Sequence, residues 1–285
     1  MRIISIVFAG FIVLLAPACS KPLPGNSGTN PATAASLLNI AYGTNDRQKM
    51  DIYLPAGRSA DSTKMLLLIH GGGWTEGDKA DFTSAVSALQ LRFPAYAFAN
   101  INYRLVANGQ NRFPTQEEDV KAAVAFLFSK RNDYHFSDKW AFLGASAGAH
   151  LAMLQGYKYS SPVKAQAVIS FFGPADLTSL YNSSPVAALL LFNVTGTTPV
   201  LNPAIYQQSG PINFITAQSA PTLLLQGGTD PIVPPVQSTL VRDKLQQLGV
   251  ASQYVFYADK GHGWDGPELL DSFDKITAFL TKYMH

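Results

Sequence analysis

The stretch Trp140-Ala141-Phe142-Leu143-Gly144-Ala145-Ser146-Ala147-Gly148-Ala149-His150-Leu151-Ala152-Met153-Leu154 constrains the fold more than any other. An apolar run long enough for a buried strand meets Gly-x-Ser-x-Gly and passes at once into an alanine-rich segment with apolar residues at helical spacing. That is a strand, a sharp turn and a helix. Such a turn holds its central serine in a strained backbone conformation with the hydroxyl exposed, and it tolerates almost no side chain two residues to either side. Gly144 and Gly148 meet that demand. The plainer reading is a glycine-rich loop between two core elements, so the rest of the chain must decide whether Ser146 does chemistry.

Around this turn, apolar strands alternate with helices. Leu37–Tyr42 and Lys49–Leu54 flank Gly43-Thr44-Asn45-Asp46 as an antiparallel pair joined by a turn would. Met65–Ile69 is continuously apolar, the form of a strand buried on both faces. Helix is expected over Ala80–Leu91, strand over Tyr96–Ile101, and helix from a Thr115-x-x-Glu118 capping box through Ser129. After the Ser146 turn come a helix to about Gly156, a strand over Ala165–Phe172 and a long irregular segment from Gly173 to Ser219. Ala220–Gln226 and Ser252–Tyr257 read as strands, and Pro234–Leu248 and Pro267–Tyr283 as helices. The order implies an α/β fold with a mostly parallel sheet covered on both sides and ligands received at the strands' carboxyl ends.

With 285 residues, 47% of them hydrophobic and 14% charged, the chain suits one large, well-buried α/β domain. A net charge of +2 and the lack of a Lys/Arg cluster give no footprint for nucleic acid. The single cysteine, Cys19, excludes an internal disulfide and metal sites built on cysteine pairs. Arg2, the apolar run Ile3–Leu15 and Ala16-Pro17-Ala18 form an export signal over residues 1–18, too short to span a bilayer comfortably. Cys19 stands just after the cleavage point, as in a bacterial lipoprotein signal, where the cysteine is acylated. Ala16 and Pro17 depart from that pattern, so ordinary cleavage and release stays open beside lipidation. Residues 19–36 are expected as a flexible linker or tether and 37–285 as the catalytic domain. The expected location is therefore the periplasm or an outer-membrane anchor, or secretion, with membrane contact only through the lipid.

For Ser146 to act as a nucleophile it needs a base, an acid to orient that base, and donors for an oxyanion. Of five histidines, His262 in Lys260-Gly261-His262-Gly263-Trp264 follows the last strand, between glycines that let a loop carry the ring over the sheet. Asp230, in Gly227-Gly228-Thr229-Asp230-Pro231, leaves the preceding strand and is the candidate acid, with Asp176 as competitor. The oxyanion donors are expected from Gly72 and Gly73 in His70-Gly71-Gly72-Gly73-Trp74 and from Ala147 at the helix start.

Taken together, these residues resemble the α/β-hydrolase superfamily and, within it, the His-Gly-Gly-Gly-containing carboxylesterases, including feruloyl-esterase-like and acetyl-ester-hydrolysing members and the related kynurenine formamidases. The likeness runs from about Ile40 to the C-terminus and takes in Asn102-Tyr103-Arg104-Leu105, Phe113-Pro114 and Asp119-Val120-Lys121-Ala122-Ala123. It implies an eight-stranded, mostly parallel sheet with only a small lid-like insertion, a paired structural role for Arg104 and Asp119, and a small-molecule ester substrate with no metal or organic cofactor. Trp74, Tyr181 and Phe192 are the candidate substrate contacts, the last two in a segment too short for a large cap. That shortness favours small acyl groups. An amide-hydrolysing, formamidase-like activity and a non-catalytic binder on the same scaffold are the alternatives.

Overall fold

The computed structural model describes residues 29–285. The expected leader, Cys19 and most of the stretch read as linker lie outside the described residues. The last part of that stretch is held down: the Thr29 N–H donates to the Asp133 carbonyl, and the Arg58 guanidinium donates to the carbonyls of Asn30, Thr33, Pro55 and Tyr134.

Eight strands form one sheet: β1 Ala35–Ala41, β2 Lys49–Leu54, β3 Met65–Ile69, β4 Ala97–Ile101, β5 Trp140–Ala145, β6 Ala165–Phe171, β7 Thr222–Gly227 and β8 Ser252–Tyr257, in the order β1-β2-β4-β3-β5-β6-β7-β8. The first two pair antiparallel to each other, β2 pairs antiparallel to β4, and all other pairings are parallel. This is the α/β-hydrolase architecture expected from the sequence. The helices are α1 Thr83–Arg92, α2 Thr115–Tyr134, α3 Ala147–Lys158, α4 Leu177–Tyr181, α5 Pro185–Thr195, α6 Pro203–Ser209, α7 Val236–Gln247 and α8 Gly266–Tyr283.

The continuous apolar run of β3 is explained by two covered faces, because successive strand residues point to opposite sides. Met65, Leu67 and Ile69 belong to one buried cluster with Val120, Val124 and Leu127 of α2, Leu151 of α3 and Val241 and Leu245 of α7. Leu66 and Leu68 belong to a second buried cluster with Val86 and Leu89 of α1 and Phe273, Ile276 and Leu280 of α8. Parallel register then aligns the carboxyl ends: Ile69 lies beside Gly144, Ala145 beside Phe171, and Phe171 beside Leu225. The loops leaving β3, β5, β6 and β7 therefore emerge along one edge.

Three local expectations are corrected. Thr115 does not cap α2, whose N-cap is Pro114 without a side-chain bond; the helix also runs past Ser129, whose hydroxyl merely bonds back to the Phe126 carbonyl, to a left-handed His135. A capping box does occur at Asp78 and Asp81, where each carboxylate accepts a backbone N–H at 2.9 Å. The segment expected as irregular, Gly173–Ser219, contains α4, α5 and α6, each with a side-chain N-cap: Asp176, Ser184 and Asn202.

Candidate active site

The turn after β5 is as sharp as its glycines require. Ser146 adopts φ 55° and ψ −121°, a costly conformation for a residue with a Cβ. A Cβ on Gly144 would sit 2.3 Å from the Gly148 carbonyl, and one on Gly148 would sit 2.1 Å from the Ile69 carbonyl oxygen. The pair lets α3 start directly against the ends of β3 and β5. Ser146 is itself pinned by its N–H, which donates to Phe171 at 2.9 Å.

The loops after β7 and β8 approach with similar closeness. A Cβ on Gly227 would meet the Gly261 carbonyl oxygen at 2.1 Å, one on Gly228 would meet that of Ala258 at 2.3 Å, and Thr229 N–H donates to Lys260. This docking sets His262 between its two partners: Nε2 lies 2.9 Å from Ser146 Oγ and Nδ1 lies 2.7 Å from Asp230 Oδ2. Of the flanking glycines only Gly263, at φ 119°, uses a conformation reserved for glycine; Gly261 has open space around it. Asp230 cannot turn away, because its Oδ1 accepts the N–H groups of Ile232 and Val233, both at 2.9 Å. Gln226, held by the Ser238 hydroxyl, donates to Oδ2. A carboxylate accepts, so Nδ1 carries the proton and Nε2 presents its lone pair to the serine hydroxyl. The competitor Asp176 is elsewhere: it caps α4 through the Ser179 N–H.

Beyond β3 the triple-glycine loop turns with φ 99° at Gly72, 56° at Gly73 and 61° at Trp74. A Cβ on Gly72 would lie 2.1 Å from the Glu76 carbonyl oxygen, and one on Gly71 would lie 3.5 Å from Ser146 Cβ, so the loop runs beside the serine. Among the described residues, no acceptor satisfies the N–H groups of Gly72, Gly73 or Ala147. His70 anchors the loop from inside, stacked on Tyr103 at 4.3 Å, with Nδ1 2.7 Å from the Gly71 carbonyl oxygen. The Tyr103 hydroxyl donates to the His70 and Gly71 carbonyls. Burial pulls the His70 imidazole down to about 4, which keeps this strut neutral. The expected Arg104–Asp119 pair forms beside it: Asp119, fully buried, accepts from the Arg104 N–H and guanidinium and from Gln48.

Trp74 is not a substrate contact. It is 1% exposed, because its left-handed backbone turns the indole into the core, where Nε1–H donates to His150 Nδ1 at 3.3 Å. His150 in turn donates from Nε2 to the Ser209 carbonyl at 2.7 Å, tying the triple-glycine loop to the insertion. Tyr181 packs edge-on against Tyr206 within the insertion. Phe192 is 44% exposed on α5, about 200° around the axis from Leu190. It is Leu190 that reaches the loop: a Cβ on Gly73 would lie 3.3 Å from its Cδ1. Phe172, missed in the sequence as a site residue because it reads as one more apolar position of β6, packs its ring 4.5 Å from that of His262. Among the described residues, no group of three or more His, Cys, Asp or Glu side chains is placed to hold a metal ion.

The BD-FAE family model matches residues 50–245, more than half of the chain. The chain belongs to the BD-FAE family. Among curated relatives of this BD-FAE protein, esterase LipQ of Mycobacterium tuberculosis is 28% identical over 261 residues, covering 85% of this chain and 61% of LipQ, so the chain spans less than two thirds of that relative. Kynurenine formamidase avaC of Aspergillus versicolor is 34% identical over 133 residues, 41% of this chain and 46% of avaC. A solved structure described as a truncated form of a carbohydrate esterase from gut microbiota superposes with TM-score 0.74 at 22% identity, covering 91% of this chain and 99% of that one. At such identity the likeness speaks for the fold.

Proposed function

We propose that this BD-FAE protein is a serine carboxylesterase for small or short-chain acyl esters, with Ser146 as nucleophile, His262 as base and Asp230 as the acid that orients it. The observation that carries the reading is the hydrogen-bonded relay Ser146 Oγ–His262 Nε2 and His262 Nδ1–Asp230 Oδ2 beside three unpaired backbone donors. In acylation, Ser146 Oγ bonds to the ester carbonyl carbon while its proton passes to His262 Nε2, and the carbonyl π pair moves onto oxygen. The N–H groups of Gly72, Gly73 and Ala147 receive that oxyanion, each donor being worth ~3–4 kcal/mol in comparable sites. Collapse expels the alcohol, which takes the proton from His262. Water, deprotonated by the same nitrogen, then releases the acid.

Leu190 against Gly73 narrows the space over the oxyanion donors and supports a preference for small acyl groups. Family membership and the esterase relatives favour an ester over an amide; the formamidase match covers under half of either chain. A panel of aryl acetate, aryl decanoate, acetylated xylan, feruloylated sugar and formylkynurenine tests the reading. Fast cleavage of acetate, lost in Ser146→Ala, is expected; preference for decanoate or for formylkynurenine overturns it. Export, with Cys19 as anchor, belongs to the same proposal, and the mass of the mature N-terminus tests it.

A further inference from the structure

Phe171 and Phe172 are consecutive at the end of β6, and in a regular strand their side chains would point to opposite faces. Both rings instead lie in the same core cluster, 6.1 Å apart, and both pack on Trp264. The reversal is produced by φ 41° at Phe172, a conformation that bulky side chains rarely adopt. Its backbone is locked there by an N–H bond to the Leu225 carbonyl at 2.8 Å. The turned ring reaches His262, with centroids 4.5 Å apart and planes at 54°. Behind it stands Trp264, edge-on at 5.4 Å, whose Nε1–H donates to the Ser272 hydroxyl at 2.9 Å.

We infer that Phe172 is a positioning residue for the reaction, acting through His262 and not through the substrate. Asp230 fixes one edge of the imidazole and Ser146 receives the other, but two in-line hydrogen bonds leave the ring free to tilt about the axis joining them. The Phe172 ring, backed by Trp264, blocks that tilt. It also offers an aromatic π surface to the imidazolium that exists only after Ser146 has given up its proton, a contact that strengthens as the charge develops. The left-handed backbone at Phe172 is thereby tied to a contact with the imidazole, since it is this conformation that brings the ring to 4.5 Å from His262.

The inference rests on the esterase reading, and its test separates the two. Phe172→Leu keeps an apolar side chain and removes the π surface. It should lower kcat for an aryl acetate, and the rate constant for fluorophosphonate labelling, by about ten- to thirtyfold with KM changed less than twofold. It should also broaden the downfield proton resonance of the His262–Asp230 bond. Phe172→Tyr, which keeps the ring, should restore kcat. Phe273→Leu, in the same core cluster and with no ring contact to His262, controls for lost packing: it should lower the melting temperature and leave kcat in place. Should Phe172→Leu fail to fold, Trp264→Leu carries the test, with an expected kcat loss of about three- to tenfold. A kcat no lower than that of Phe273→Leu, or a proton resonance as sharp as in the native protein, overturns the inference. A native protein that is neither labelled nor active on any ester overturns the esterase reading itself.

Discussion

Replacing Asp230 with Asn changes one atom, and the structure dictates which way the new amide must face. The Ile232 and Val233 N–H groups, both fixed backbone donors 2.9 Å from Oδ1, require an acceptor there, whereas Gln226 donates to Oδ2 only at 3.3 Å and has the Gly227 and Val233 carbonyls as other acceptors, so the amide oxygen takes the place of Oδ1 and the NH2 group that of Oδ2. His262 Nδ1, 2.7 Å away, then meets a donor and must give up its proton. The proton moves to Nε2, facing Ser146 Oγ at 2.9 Å, and the imidazole can no longer accept from the hydroxyl. For the same exchange in a serine protease, kcat falls by about 10⁴, equivalent to ~5.5 kcal/mol of transition-state stabilisation. Initial rates on an aryl acetate measure the effect, with circular dichroism and thermal melting to establish that the fold survives. Asp176→Asn is the matched control: it perturbs only the cap of α4 and should leave kcat within about twofold. If folded Asp230→Asn retained more than a tenth of the native kcat, the tautomer argument would be wrong and Asp230 would not be the orienting acid.

Other perturbations probe the scaffold. Gly148→Ala forces a methyl into the Ile69 carbonyl and should destabilise by ~3 kcal/mol or more in urea unfolding, with loss of activity; native stability would contradict the close-approach account. Asp119→Ala leaves the Arg104 guanidinium without its buried partner and should cost ~3–5 kcal/mol by the same measurement, whereas a loss under 1 kcal/mol would make the pair incidental. Burial holds His70 and His150 at about 4, while the unfolded chain takes up a proton at each near pH 6.5. Stability contributed by keeping both neutral is therefore complete above pH 6.5 and drains away as pH falls towards 4, by roughly 3 kcal/mol per histidine. Urea midpoints measured across that window should drop steadily with acid; a flat profile would refute the assignment.

Hydrophobic patterning made the sheet legible. Met65–Ile69 and Trp140–Ala145 are apolar because both faces are covered; the first has the ends expected of it, and the second runs into the glycine-flanked turn as expected. Chain order singled out Ser146, Asp230 and His262 as candidates because each follows the carboxyl end of a strand; parallel register brings those ends together, and hydrogen bonds join the three side chains. The insertion was read poorly, although Asp176-Leu177, Ser184-Pro185 and Asn202-Pro203 carry helix-start chemistry. Its helices of 5, 11 and 7 residues are too short for periodicity to stand out. Trp74 stands among the candidate substrate contacts because residue type alone does not tell which way an aromatic after three glycines turns; its φ of 61° sends it inward. Phe172 escaped for the same reason. Alternation assigns side chains to faces only while φ stays extended, and no residue type announces that a phenylalanine will turn left-handed.

A fluorophosphonate bearing a reporter group reads the central claim at one atom: after incubation with the folded protein, intact mass and peptide mapping locate the adduct. One equivalent on Ser146, absent in Ser146→Ala and slowed at least a hundredfold in His262→Ala, is the predicted result. A folded protein that stays unlabelled, or carries the adduct on another residue, contradicts the account.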